Sequence, residues 1–269
     1  MASRTGWAWR LGSACLRTLF PIALCASAAH AEGDGQLPFH MSGYVDFDSS
    51  YVSKGRTCHD APVLNPNVAV HGFRIGETVL PFYAGCWSVL SLSSTDKYPL
   101  EKPGRWVEVD PYAGAELAGL CGLGECLSMK AWVLRWHFPA THRQPMDMAA
   151  FDTRANVFLH PSTSWRYRYH GKSEGRVEIK VGIDETRRFT DDWNVFGSVN
   201  LWLVDYRNES SAKESGLNSG DLTAGLGWKM FCVKAVYWFP LDRRVLNDRP
   251  ETYGYDKRLV LATGVRFSF

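Results

Sequence analysis

Charged side chains occupy alternate positions in several segments of this chain. An acidic group falls in the early segments and a basic group in the later ones, namely Asp46, Asp48, Glu108, Asp110 and Glu116 against Arg166, Arg168 and Lys180. Because alternate side chains of a β-strand share a face, each group would line one wall. Opposed charged walls create a transverse field that orients small dipolar or zwitterionic solutes. The alternative is that the two groups pair with each other and fill the space between them.

Several histidines could instead act as bases in hydrolysis, which needs a nucleophile or an activated water beside the base. The candidate bases are His71, His137 and His170, and the candidate partners are Ser88, Asp46 and Asp152. No His-Glu-x-x-His motif occurs in the chain, and an enzyme is the weaker expectation. Cys58-His59-Asp60 lacks the spacing of metal ligands, and we predict neither a metal nor a cofactor.

Five of the seven cysteines lie beyond residue 31. Cys121 and Cys126 flank a Gly-rich stretch between two segments of alternating residues. Their sulfurs could therefore meet across the mouth of a hairpin in an oxidising compartment. A disulfide between them and two separate thiols are both open.

Apolar and polar residues alternate with a period of two from Ser42 onward, with scarcely any helical stripe. The pattern predicts an all-β chain of about twelve strands, at Ser42–Lys54, Asn67–Phe73, Val79–Leu92, Arg105–Ala118, Leu127–Phe138, Ala149–Phe158, Thr163–His170, Arg176–Arg187, Asn194–Tyr206, Asp221–Lys229, Cys232–Phe239 and Lys257–Phe269. Longer links follow Lys54, Leu92, Phe138, Tyr206 and Phe239, and the intervening links are mostly short. An even strand number with alternating link lengths is typical of a single antiparallel transmembrane β-barrel.

In such a barrel one face of each strand meets lipid and the other meets the lumen. The residues predicted to face the lumen are the two charged groups above together with Arg135, His137 and Glu178. On the segment 127–138 this assignment places Trp132, Leu134, Trp136 and Phe138 against lipid. A soluble sandwich would have the reverse arrangement, with its apolar faces inside.

The first and last segments carry export features. Arg4, Arg10 and Arg17 accompany an apolar stretch over residues 19–29, and Ala29-His30-Ala31 is a small-x-small cleavage site. We therefore expect a signal peptide over residues 1–31 and a barrel domain over residues 32–269. Phe267 and Phe269 end an alternating strand and form a terminal strand signal for the barrel-assembly machinery.

Composition limits the class of protein further. The chain has 30 basic and 28 acidic residues and no basic tract, so nucleic acid is not an expected partner. A mean hydropathy of −0.21 and the lack of a long apolar run beyond residue 31 exclude a bundle of membrane helices. The 11 Trp, 11 Tyr and 14 Phe residues suit strands with interfacial aromatic girdles.

Three segments resemble a family of uncharacterised proteobacterial outer-membrane-type proteins that is named for a Gly-Cys-Trp motif. They are Gly85-Cys86-Trp87, the segment Tyr51-Val52-Ser53-Lys54-Gly55, and Val107-Glu108-Val109-Asp110-Pro111-Tyr112-Ala113-Gly114. The family usually has Arg at the position of Lys54, and Pro111 is a second departure from its pattern. The resemblance implies a β-barrel in the outer membrane and brings no established activity.

These observations predict an outer-membrane β-barrel of a Gram-negative-type bacterium, in contact with outer-membrane lipid. The favoured function is a narrow channel for small solutes or ions. A plugged barrel with a structural or binding role is the alternative, and an outer-membrane hydrolase is a weaker one.

Overall fold

A computed structural model of the protein describes residues 39–54, 56–75, 77–94, 102–117, 125–140, 143–171, 174–205, 215–242, 245 and 258–269. The strands of this part of the chain are β1 (His40–Asp48), β2 (Tyr51–Ser53), β3 (Arg56–His59), β4 (Val63–His71), β5 (Arg74–Ile75), β6 (Thr78–Val79), β7 (Phe82–Ser91), β8 (Trp106–Glu116), β9 (Leu127–Phe138), β10 (Arg143–Ala155), β11 (Ser162–His170), β12 (Val177–Arg188), β13 (Trp193–Asp205), β14 (Gly216–Trp228), β15 (Phe231–Pro240) and β16 (Arg258–Ser268). The expected signal peptide, residues 1–31, lies outside the described residues.

Twelve of these strands form a closed antiparallel barrel in the order β1, β16, β15, β14, β13, β12, β11, β10, β9, β8, β7, β4. The prediction of an all-β barrel with about twelve strands is therefore confirmed. Two small hairpins, β2–β3 and β5–β6, are separate from this wall. Among the described residues there is no helix that is long and apolar enough to cross a membrane.

Alternation places apolar side chains on the outside of the barrel and polar ones on the inside. On β16, Leu259 and Leu261 are more than half exposed, whereas the alternating residues Val260 and Ala262 are buried. On β1, Val45 and Phe47 face outward and Asp46 is buried in the interior. This is the arrangement that a barrel in lipid requires and the reverse of a soluble sandwich.

The barrel closes where β1 pairs with β16, from Ser42 opposite Ser268 to Asp48 opposite Ala262. Gly264 lies opposite Asp46 at this seam. A side chain at position 264 would collide with the Asp46 carboxylate, so glycine is needed for the close approach.

Several strand ends differ from the prediction. β1 ends at Asp48 instead of Lys54, and β10 begins at Arg143 instead of Ala149. The link after Phe138 therefore covers only residues 139–142 and is not the long connection that the sequence suggested. β14 begins at Gly216, five residues earlier than expected. Its first residues are mostly polar or glycine and show no clear strand pattern in the sequence, yet they pair with β13.

The predicted facing of β9 is wrong. Trp132 and Trp136 contact interior side chains, as described below, while Val133 between them is 48% exposed. Strand alternation then puts Arg135 and His137 on the outer face. The tryptophans misled the prediction because their rings are apolar, although their indole N–H groups need a polar partner when buried.

A β-bulge changes the facing within β8. The register with β7 shifts between Val89 and Leu90, so β8 has one extra residue there. Val107, which alternation assigned to lipid, is buried in a cluster with Tyr51, Val63 and Val89. Bulges re-aim side chains in this way, and a strict period of two does not detect them.

Candidate functional site: the barrel interior and the hairpin that crosses it

The hairpin β2–β3 leaves the wall after Asp48 and returns to it at Val63, and these two residues are partners in the β1–β4 ladder. Within the hairpin, Thr57 and His59 are fully buried and Tyr51 is 8% exposed. The hairpin is therefore packed inside the barrel and does not extend into solvent.

The base of the hairpin packs against β7 and β8. The Tyr51 hydroxyl donates a 2.8 Å hydrogen bond to Glu108, and the Tyr51 ring lies 5.7 Å from that of Trp87. His59 Nε2 lies 3.3 Å from Ser91 Oγ on β7. Burial and the nearby negative charge of Glu108 raise the pKa of Tyr51 well above its usual value, so this phenol remains a donor across the physiological range.

The tip of the hairpin reaches the opposite wall. Lys54 lies at the turn with φ of 53°, a left-handed conformation that is typical of turns. Its ammonium forms an ion pair with Glu178 on β12. Since β12 is five strands from β1 in one direction round the barrel and seven in the other, this contact spans the lumen. We call it the Lys54–Glu178 latch.

Tryptophan rings surround the latch. The Lys54 ammonium lies 4.9 Å from the ring centre of Trp136 on β9 and 5.6 Å from that of Trp202 on β13. Each such cation–π contact contributes about 0.5–2 kcal/mol, depending on how far the cation is removed from water. Burial lowers the pKa of Lys54 to about 7; Glu178 opposes the shift, while Arg168, Arg166 and Arg176 add to it.

Glu178 is fully buried and has further basic partners. Arg168 Nη2 lies 2.6 Å and Arg176 Nε 2.9 Å from Glu178 Oε1. The Arg168 guanidinium also lies 4.6 Å from the ring centre of Trp136. Three cations thus converge on one carboxylate, and the basic wall carries a surplus of positive charge.

Arg166 and Lys180 continue this wall on β11 and β12. Both cations lie over the Trp202 ring, at 5.0 Å and 5.9 Å from its centre. Arg166 Nε donates to Ser164 Oγ at 3.2 Å. In the part of the chain that the structure describes, neither cation has a carboxylate within ion-pair distance.

Two nearby carboxylates are held by indole groups. Trp132 Nε1 donates to Asp152 at 2.6 Å, and Trp202 Nε1 donates to Asp221 at 3.1 Å. Asn200 also donates to Asp221, at 2.8 Å. These interactions orient the tryptophan rings towards the interior, which explains why sequence alternation failed on β9.

The predicted acidic group does not form one wall. Asp46 accepts from Lys234 and from Arg266, each at 2.7 Å, and Asp48 accepts from Asn65. Glu116 pairs with Lys130 at 2.6 Å near the opposite end of the barrel. Asp46 and Glu116 are thus neutralised by neighbours on the same side.

Glu108 and Asp110 lie on β8 and are both almost fully buried. Tyr51 covers Glu108, and Asp110 accepts a 3.4 Å hydrogen bond from the backbone N–H of His137. The hairpin therefore covers this carboxylate pair and separates it from the rest of the lumen.

Arg135 takes part in a small charged group on the outer face. Its Nε lies 3.4 Å from Asp147, whose other carboxylate oxygen lies 3.3 Å from His170 Nδ1. The side chains of Arg135 and His170 are 45% and 63% exposed. The lumen assignment of Arg135 is therefore corrected, together with that of His137, which shares its face of β9.

The three segments that resemble the Gly-Cys-Trp family meet around the hairpin. Trp87 packs on Tyr51, and Glu108 accepts from Tyr51. Gly85 leaves room for the ring of Tyr112, whose hydroxyl donates to Asn67 at 3.1 Å. Sequence reasoning singled out these motifs but did not detect the hairpin that connects them.

The residues proposed for hydrolysis are not arranged for it. Ser88 Oγ donates to the Pro66 carbonyl. The serine and histidine that do meet, Ser91 and His59, are both fully buried, and Ser91 Oγ donates to the Ser93 carbonyl at 2.7 Å. Within the described residues, no group of three or more His, Cys, Asp or Glu side chains could hold a metal ion.

Cys126 is exposed near the start of β9. Cys121 lies outside the described residues, so the disulfide between them stays a prediction. Cys86 and Cys232 are both buried in the barrel wall.

No protein-family model matches the chain, and no curated protein matches its sequence. The membership of the Gly-Cys-Trp family therefore stays a prediction.

Among solved structures, the chain is similar to the KdgM porin at 10% identity and a TM-score of 0.47, over 86% of this chain and 99% of that one. It is also similar to the NanC porin at 11% identity and a TM-score of 0.48, over 84% and 98% of the two chains. A third likeness is to the outer membrane channel DcaP of Acinetobacter baumannii, with 10% identity, a TM-score of 0.37 and coverage of 85% and 96%.

Proposed function

We propose that this protein is an outer-membrane β-barrel of a Gram-negative-type bacterium and acts as a narrow channel for small solutes or ions. Its outer surface supports the location. Exposed apolar side chains cover the wall strands, and aromatic rings gather at one end, where Trp228 lies 6.1 Å from Trp193 and 5.9 Å from Phe231. A band of apolar residues bordered by aromatics is the surface that a barrel presents to lipid and headgroups.

The observation that carries the channel proposal is the hairpin inside the barrel. Twelve strands enclose more space than the filled interior of an eight-stranded barrel and less than a wide porin lumen. The β2–β3 hairpin takes up part of this space and reaches the far wall at the latch. A lumen narrowed in this way would admit ions and small solutes and exclude large ones.

The partners follow from the same arrangement. Outer-membrane lipid contacts the outer face, and small solutes or ions contact the charged interior. Insertion would use the barrel-assembly machinery, for which Phe267 and Phe269 provide a terminal strand signal.

Single-channel recording tests the proposal. The protein is extracted in detergent from the outer membrane of an expressing bacterium, its barrel fold is checked by heat-dependent gel mobility, and it is inserted into a planar bilayer. We expect discrete conductance steps smaller than those of a wide trimeric porin. A folded barrel that inserts without conductance would contradict the proposal.

The latch favours a second candidate, a plugged barrel with a structural or binding role. If the hairpin closes the lumen completely, the folded protein is silent, and weakening the hairpin produces a current. Channel and plug therefore differ in the conductance of the unaltered protein.

A further inference from the structure

The hairpin leaves one charged surface of the interior uncovered. Glu108 and Asp110 are 5% and 1% exposed, and Glu178 is fully buried, so none of these carboxylates meets a passing solute. Arg166 and Lys180 are only half-buried. Beside the hairpin tip, a solute therefore meets these two cations, together with the Asp152 carboxylate, which accepts a hydrogen bond from Trp132.

The two cations form one end of a longer basic row. Arg166 is directly opposite Glu178 in the β11–β12 ladder, and Lys180 is opposite Ser164, one inward-facing position further from the latch. Arg168 and Arg176 lie next to the latch on its other side. Successive inward-facing positions are about 6.6 Å apart along a strand, so the row extends past the hairpin tip.

Arg166 and Lys180 are also placed for an external anion. The Arg166 guanidinium lies between two indole rings, 5.8 Å from the centre of Trp132 and 5.0 Å from that of Trp202. The rings restrict its movement, and its hydrogen bond to Ser164 uses Nε only. Among the described residues nothing else binds its two terminal nitrogens, which therefore remain for an oxyanion. Asp152 and Asp221, the nearest other carboxylates on the adjoining strands, accept from indole N–H groups and form no ion pair with either cation.

From this arrangement we infer that Arg166 and Lys180 form an anion-binding site beside the hairpin tip, and that the solutes of this barrel are small anions bearing a carboxylate or phosphate group. An oxyanion bridges the guanidinium and the ammonium as it passes the constriction. Both groups provide charge-assisted hydrogen bonds, which are about twice as strong as neutral ones. This inference deepens the proposed channel function and rests on it for transport, whereas anion binding itself does not need an open lumen.

Ion selectivity provides the first test. The reversal potential in a KCl gradient is compared for the unaltered protein and the double variant Arg166→Gln/Lys180→Gln. We expect the unaltered channel to prefer chloride, and its ratio of chloride to potassium permeability to fall by at least about threefold in the variant. The matched control is Arg187→Gln/Lys229→Gln, which removes two exposed cations, one near the end of β12 and one at the turn after β14, and should leave the ratio unchanged.

Citrate provides the second test and does not depend on conductance. We expect millimolar citrate to change the tryptophan fluorescence of the folded barrel, because Trp132 and Trp202 line the site, and to have little effect on the Arg166→Gln/Lys180→Gln variant. A silent barrel that still responds to citrate would contradict the channel and support the anion site. A conducting barrel with unchanged selectivity in the variant and no citrate response would overturn the anion site and leave the channel intact.

Discussion

Lys54 is the residue on which the geometry of the lumen depends most. Its ammonium pairs with Glu178, and its side chain lies between Trp136 and Trp202. Loss of one partner of a buried ion pair typically costs 3–5 kcal/mol, but here Arg168 and Arg176 remain beside Glu178. A substitution at Lys54 should therefore release the hairpin tip without unfolding the barrel wall.

The pH dependence of conductance tests the latch. The groups that face Lys54 are Glu178 on β12, Arg166 and Arg168 on β11, and Arg176 between these strands. Docked Lys54 has a pKa of about 7, against 10.5 when the tip is released. Between these values the released lysine holds a proton that the docked lysine lacks, so lowering the pH weakens docking.

We expect conductance to increase as the pH falls from about 10 to about 7 and to level off below that, where both forms are protonated. Lys54→Met should remove the dependence and conduct well at every pH in this window. Lys229→Met, which changes an exposed lysine at a turn, should retain the dependence. A dependence that survives Lys54→Met would refute the role of the latch.

The β2–β3 hairpin is an element that can be exchanged without altering the wall. Asp48 and Val63 are paired, so a short loop can join β1 directly to β4. We expect replacement of residues 50–61 with Gly-Ser-Gly-Ser to increase the conductance at least about twofold, because the lumen loses its constriction. Bilayer recording of the barrel, after a check of heat-dependent mobility, measures the change.

The matched control replaces residues 73–80 with the same linker. These residues carry the β5–β6 hairpin, where Ile75 and Val79 are 70% and 55% exposed. This change should leave the conductance unaltered. An equal conductance in both replacements would mean that β2–β3 does not narrow the path.

Sequence alternation predicted the wall strands well and the hairpin not at all. The wall strands face lipid on one side and polar groups on the other, so a period of two records their positions directly. Residues 49–54 continue the same alternation, so the sequence pattern predicts them to be part of the first strand. The contact of Lys54 with a residue 124 positions away is tertiary and leaves no local pattern.

The candidate site was partly predictable for the same reason. Arg166, Arg168, Glu178 and Lys180 lie on strands whose outer residues are plainly apolar, so their facing was easy to assign. Alternation misassigns β9 because the rings of Trp132 and Trp136 are apolar. Trp132 nevertheless donates a hydrogen bond to Asp152, and Trp136 lies against Lys54 and Arg168 in the interior. Arg176 begins the predicted strand 176–187 and has the parity of Glu178, but it was not named among the lumen residues; in the structure it lies just before β12.

For the whole molecule, closure depends on the seam between β1 and β16. Phe269 N donates to the Met41 carbonyl at 2.8 Å, and Met41 N donates back at 3.1 Å. Phe269 is 48% exposed on the outer face and lies 5.8 Å from the ring of Phe267. Phe269 thus takes part both in the seam and in an aromatic pair with Phe267.

We expect Phe269→Asp to reduce the amount of heat-modifiable protein in the outer membrane severalfold. A charge near the membrane interface costs only about 0–1 kcal/mol, which is too little to unfold the barrel. A large loss would therefore reflect failed recognition of the terminal strand during assembly. Ser268→Asp, on the inward face of the same strand end, should assemble normally, and equal yields of the two variants would contradict this expectation.

The span of the latch also constrains the order in which the molecule can form. Lys54 belongs to a segment near the start of the described chain, and its partner Glu178 is on a strand from the far wall. The hairpin tip can dock only after β9, β11, β12 and β13 have gathered, and the seam between β1 and β16 encloses it. The hairpin therefore docks late in folding. The appearance of protease resistance in residues 49–62 would show that the barrel is complete.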